Sequence, residues 1–156
     1  MANFDDSLAM GKKVENEVCD LIKKKHPDAY VKEGYYKQGD IIVPSADKLV
    51  EVKQDYQSHI TGNLLIEIEF DGKPSALETT ESDWWVIVDR QNLYWIAPES
   101  LKYIINELKL TPAEFIGKGD NKIKKAYLVP KGEIIYSMYT LTMKRKVEDT
   151  TEYKER

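Results

Sequence analysis

Apolar and polar positions change period several times along the chain, and each change marks an element. Val14, Val18, Leu21 and Ile22 recur at helical spacing, which predicts an amphipathic helix over 7–25. Asp5, Asp6 or Ser7 can cap its start, Lys23, Lys24 and Lys25 suit its negative end, and His26-Pro27-Asp28 breaks it. A short strand is predicted over 29–32, followed by a polar, tyrosine-bearing loop over 33–39. Ile41-Ile42-Val43 and Leu49, Val50, Val52 predict strands at 40–44 and 48–54 joined by a tight turn at Pro44-Ser45-Ala46-Asp47. Residues 63–70 alternate: Leu64, Ile66, Ile68 and Phe70 face one way, Leu65, Glu67 and Glu69 the other. After a turn at Asp71-Gly72-Lys73-Pro74 come a short helix over 75–82 capped by Ser75, a central strand at 84–88 and another at 93–96. Pro98 opens a helix over 99–109 with Leu101, Ile104, Ile105 and Leu108 inward. A glycine- and lysine-rich loop is predicted at 115–125, then short strands at 126–129 and 133–136. This order predicts an α/β or α+β domain on one mixed sheet, spanning 1–143. From Lys144 the charges are dense and mixed, so 144–156 is expected to be a solvated tail.

Composition narrows the function classes. The chain has 156 residues, 42% hydrophobic and 32% charged, enough for one domain with a real core. Its net charge of −4 provides no global basic footprint, so any nucleic acid must be held by a local patch. Cys19 is the single cysteine, which excludes an internal disulfide and a cysteine-cluster zinc site. His26 and His59 lack metal-ligand spacing. No apolar run has membrane-spanning length, and MANFDDSLAMGKK lacks an apolar signal core. The expectation is a reducing, cytoplasmic setting with no membrane partner.

The candidate chemistry lies inside the best core-forming segment, GDIIVPSADKLVEVKQDY, residues 39–56. Alternation along a strand puts Glu51 and Lys53 on one face, roughly 6–7 Å apart, and sends Val50 and Val52 to the core. If 40–44 and 48–54 pair as a hairpin, Asp40 converges with Glu51 and Lys53 on one rim. Two carboxylates there suit Mg²⁺, which keeps waters and takes only one or two protein carboxylates. The lysine can orient the attacking water or neutralise a phosphate. That set suffices for phosphodiester hydrolysis. The competing reading is a solvated surface ion pair.

Gly39-Asp40, ten residues, then Glu51-Val52-Lys53 resembles the signature of the PD-(D/E)XK nuclease superfamily, with glycine in place of the proline. Gly11-Lys12-Lys13-Val14-Glu15 is similar to the G-x-x-x-E that opens the first helix of archaeal Holliday-junction resolvases. The likeness covers residues 7–90. It implies a restriction-endonuclease-like fold, with a mixed central β-sheet flanked by helices. It implies a Mg²⁺-dependent DNA nuclease, Mn²⁺ substituting, with Asp40, Glu51, the Val52 carbonyl and Glu15 at the metal and Lys53 at the attacking water. Recombination or repair is the implied setting, with a Holliday-junction resolvase or other structure-selective endonuclease as the activity. An exonuclease acting on DNA ends and a catalytically silent DNA-binding protein are the alternatives. On the helical wheel Glu15 and Glu17 both border the apolar stripe, one on each side; only the resemblance favours Glu15.

Contacts to DNA are expected from local groups. Lys12 and Lys13 lie beside Glu15, and Lys118, Lys122, Lys124 and Lys125 form the best basic patch. Tyr35, Tyr36 and Lys37 precede the site as an aromatic-basic loop that can stack on a splayed base. Gln54 follows the lysine on the opposite strand face and can reach the site only at a strand end. Symmetric cutting of two strands needs two sites, so a homodimer is expected, with Trp84, Trp85, Tyr94 and Trp95 divided between core and interface.

Overall fold

The computed structural model describes residues 4–33, 40–116 and 121–146. In chain order the elements are α1 (Phe4–Lys23), β1 (Tyr30–Val31), β2 (Ile41–Val43), β3 (Lys48–Gln54), α2 (Ser58–Thr61), β4 (Asn63–Phe70) and β5 (Lys73–Pro74). Then follow β6 (Trp84–Val88), β7 (Asn92–Ile96), α3 (Pro98–Glu107), β8 (Ala113–Ile116), β9 (Ile123–Pro130), α4 (Lys131–Ile135) and β10 (Leu141–Lys144). The fold is α/β, with a mixed central sheet flanked by helices. That sheet has the order β1-β2-β3-β6-β7-β10, in which β3 and β6 run parallel and every other neighbouring pair antiparallel.

Strand alternation sorts two cores onto the two faces of this sheet. Val50, Val86 and Val88 meet Val14 and Val18 of α1 on one face. Trp85, Ile87, Tyr94 and Ile96 meet Leu101, Ile104 and Ile105 of α3 on the other. Leu64 and Ile66 of β4 and Val129 of β9 join this second core, so the inward face of 63–70 is the expected one. The β2–β3 turn is a single 3₁₀ turn at Pro44–Ala46, closed by Asp47 in the left-handed region at φ 53°.

Several expectations are corrected. The described residues form two sheets: β4 leaves the central one and forms an antiparallel sheet of order β5-β4-β9-β8. Residues 115–125 are not one loop, because β8 and β9 extend into them and pair from Ala113↔Ala126 to Ile116↔Ile123. Residues 133–136 lie largely in helix α4 rather than a strand; Ile134 is buried through a helical turn that starts directly after Pro130. The helix expected at 75–82 is only a 3₁₀ turn, Ala76–Glu78, and the Ser75 hydroxyl donates to Glu67 instead of capping it. Lys144 does not begin a solvated tail. It closes β10, which pairs with β7 from Leu141↔Trp95 to Lys144↔Asn92, and Arg145 is buried. Residues 147–156 lie outside the described residues.

Candidate active site

Asp40 is held at the point where β2 begins. Its N–H donates to the Val50 carbonyl at 2.8 Å and its carbonyl accepts from the Lys32 N–H at 2.8 Å. The backbone is therefore pinned from both neighbouring strands. Ile41 pairs with Val50, which sets Asp40 alongside the Val50–Val52 segment of β3. Its side chain is oriented by the Val52 N–H, which donates to Oδ2 at 2.7 Å. A strand residue turns its N–H and C=O to the same neighbour, so the Val52 carbonyl faces the Asp40 side as well.

Glu51 and Lys53 share the face that alternation assigns them. Lys53 Nζ lies 3.2 Å from Glu51 Oε2, with the Glu51 side chain 13% exposed and that of Lys53 41% exposed. Trp85, the partner of Glu51 across β3–β6, forms the floor: Lys53 Nζ sits 5.2 Å from its ring centroid. The Trp85 indole N–H donates to the Thr80 hydroxyl at 3.1 Å, which fixes the ring. This aromatic support for the lysine was not read from the sequence; its signal was the bulky residue at the start of a buried strand.

The electrostatics couple three elements into one cluster. Burial pushes the Glu51 carboxyl up, and the Asp40 charge adds to that while Lys53 opposes it. Burial raises Asp40, against the pull of the Val52 amide, Lys53 and Lys12. Glu15 is raised by burial and by Asp40, with Lys12 opposing. Three carboxyls thus gather at the junction of α1, β2 and β3, each partly desolvated. Among the described residues no three carboxylate, histidine or cysteine side chains are close enough to enclose an ion by themselves. The built part is the Asp40–Glu51 pair, a donor set that fits Mg²⁺, since that ion retains several waters. The geometry also separates the two helix glutamates. Glu17 is engaged by Arg145 through Nη2 to Oε1 at 2.6 Å and Nε to Oε2 at 2.9 Å, whereas Glu15 stands near enough to Asp40 for that charge to raise its carboxyl.

The other predicted residues divide. Lys12 falls within the field of Asp40 and Glu15, and Lys13 is exposed next to it on α1. Gln54 is exposed and its Nε2 lies 3.8 Å from where a Cβ on Gly11 would stand, so it sits against α1. Lys124 and Lys125 belong to β9 of the second sheet, Lys122 lies just before it, and all three are matched by acids. Lys122 is 3.9 Å from Asp71, Lys124 3.3 Å from Glu67 and Lys125 3.4 Å from Glu69. The basic patch expected from the sequence therefore stands beside acids at these three positions, because β4 and the Asp71 that follows it lie against β9 and Lys122. Tyr35, Tyr36, Lys37 and Lys118 lie outside the described residues.

A buried polar network at the far ends of β3 and β6 was also not anticipated. Asp89 accepts from the Tyr94 hydroxyl at 2.5 Å, from the Gln91 and Asn92 amides at 2.8 and 2.7 Å, and is paired with Lys131. Burial alone would raise its carboxyl, but these donors outweigh it and hold the group below its ordinary range. Asp55 accepts from Leu65 N–H at 2.8 Å and Ser58 N–H at 3.1 Å, tying the end of β3 to β4. No helix among the described residues is long and apolar enough to cross a membrane. Compared with protein-family models, with curated proteins and with solved structures, the chain matches none.

Proposed function

We propose that the protein is a Mg²⁺-dependent deoxyribonuclease of restriction-endonuclease-like fold. The observation that carries this reading is the meeting of Asp40, Glu51 and Lys53 on one rim of a sheet whose intervening Val50 and Val52 pack toward α1. A solvated ion pair would not need two partly buried carboxylates, both raised by burial, with the Asp40 charge raising Glu51 further. Asp40 and Glu51 would hold the ion, with the Val52 carbonyl and Glu15 as candidate further oxygens. When bound, the ion supplies Lewis-acid polarisation and charge neutralisation at the phosphodiester. Lys53 Nζ, braced on Trp85, turns from Glu51 to orient the attacking water. Lys12 neutralises the phosphate charge, and Lys12 and Lys13 on α1 hold the backbone.

Branched or distorted DNA is the substrate this reading favours, because the acidic chain attracts a plain duplex only weakly at long range. A two-fold dimer belongs to the same reading, and the exposed faces of Trp84 and Leu141 offer apolar area for it. Sedimentation velocity with and without DNA tests it; a monomer in both conditions removes it. The deciding experiment incubates purified protein with plasmid, linear duplex, single-stranded DNA and a four-way junction, with and without Mg²⁺. Mg²⁺-dependent paired nicks at the junction are expected. Progressive loss from linear ends would replace the substrate choice with an exonuclease, and no cleavage of any substrate would leave a DNA-binding protein.

A further inference from the structure

Arg145 closes the described fold, far from α1 in sequence, yet its guanidinium side chain is only 2% exposed and every nitrogen of it is used. Nε and Nη2 grip both oxygens of Glu17. Nη1 donates to the Tyr56 hydroxyl at 3.0 Å and to the Asp89 carbonyl at 2.9 Å. The Arg145 N–H donates to the Gln91 carbonyl at 2.8 Å, so the side chain is anchored at its own root. One side chain thus joins α1 to the segment after β3, to the β6–β7 turn and to the end of β10.

Glu17 and Glu15 are separated by about 200° around the helix at ~100° per residue. Val14 and Val18 pack α1 onto the sheet, and the fork on Glu17 adds a restraint on its rotation, which sets where Glu15 stands relative to Asp40. Side chains reach about 5–6 Å from the helix axis, so a rotation of about 10° moves the Glu15 carboxylate by about 1 Å. A displacement of that size in a catalytic array costs on the order of 100-fold.

We propose that Arg145 is a positioning residue: by clamping Glu17 it sets Glu15 of α1 against the Asp40–Glu51 pair. This rests on the nuclease reading. Arg145 touches no reacting group and acts through the helix. Partners outside the metal-contacting shell typically contribute about 10–100-fold in metal affinity or activity.

The test is a double-mutant cycle read by Mn²⁺ titration calorimetry and by the metal concentration that half-saturates cleavage. Arg145→Leu is expected to weaken Mn²⁺ binding and lower kcat by about 10-fold or more, with KM for DNA little changed. In a Glu15→Gln background the same substitution is expected to change affinity by less than about two-fold, since the group it positions is already gone. Arg145→Lys, which keeps the charge but loses the fork, should fall between. Should Arg145→Leu fail to fold, Glu17→Gln reports on the same bond at nearly unchanged volume. Wild-type affinity in both folded variants, or equal losses with and without Glu15, would overturn the clamp while leaving the nuclease standing. A wild type that neither binds Mn²⁺ nor cleaves would remove the nuclease reading, and the clamp with it.

Discussion

Asp40→Asn should move stability and activity in different directions. The Asp40 side chain makes one hydrogen bond, Val52 N–H to Oδ2 at 2.7 Å, whose net value to a carboxylate is about 1.5–3 kcal/mol. The asparagine carbonyl oxygen occupies the same place and retains it. What the substitution removes is a buried negative charge that raises the pKa of both Glu15 and Glu51. The lost hydrogen-bond strength and the relieved repulsion oppose each other, so net stability should stay within about 1 kcal/mol, or about 2–4 °C in Tm for a chain of this size. Catalysis should fall by about 10²–10³-fold, or about 2.7–4 kcal/mol, the scale of removing one preorganised charge-stabilising group. Thermal unfolding in metal-free buffer and plasmid relaxation with Mg²⁺ measure the two separately. An Asp40→Asn protein that melts more than about 8 °C lower yet cleaves normally would make the aspartate a structural residue and refute the reasoning.

Further outcomes are expected. Asp40, Glu51 and Glu15 bind protons more tightly folded than unfolded. Their contribution to stability is therefore greatest at low pH and declines as pH rises from the ordinary carboxylate range near 4 through their raised values, while Asp89 contributes with the opposite sign. The Tm gain from Mg²⁺ should accordingly be full at neutral pH and vanish as these groups protonate; a pH-independent gain would contradict this in parallel melts. Neutralising Lys12 and Lys13 together should lower the salt slope of duplex binding by about 1.8, at about 0.9 per phosphate contact. Neutralising the acid-matched Lys122, Lys124 and Lys125 should lower it by less than one contact's worth, about 0.9, and a larger drop would restore them to the interface. Lys131→Met leaves the Asp89 carboxylate, 2% exposed, without its cation, and should cost about 3–5 kcal/mol in chemical denaturation. The half-buried pair of Lys124 and Glu67 should cost under about 1 kcal/mol when broken the same way, and equal costs would argue against burial as the cause.

Local pattern was enough for the parts of the chain whose neighbours are close in sequence. The period of Val14, Val18 and Ile22 determined α1, and alternation through Val50-Glu51-Val52-Lys53 determined which residues of β3 are buried and which face the site. The hairpin of β2 and β3 spans one short turn, so the meeting of Asp40 with Glu51 followed from residues 39–56 alone. Long-range pairing is different, because nothing in a strand's own residues names its partner. Only the fold moved 63–70 into a second sheet, where Glu67 and Glu69 meet the β9 lysines, and turned 131–135 into a helix. Likewise Glu15 and Glu17 are equivalent on a helical wheel. It took Arg145, 128 residues beyond Glu17, to engage one of them and leave the other beside Asp40. A charged residue near a chain end reads as solvated until the tertiary structure supplies a carboxylate, a hydroxyl and two backbone carbonyls that replace the water it gives up.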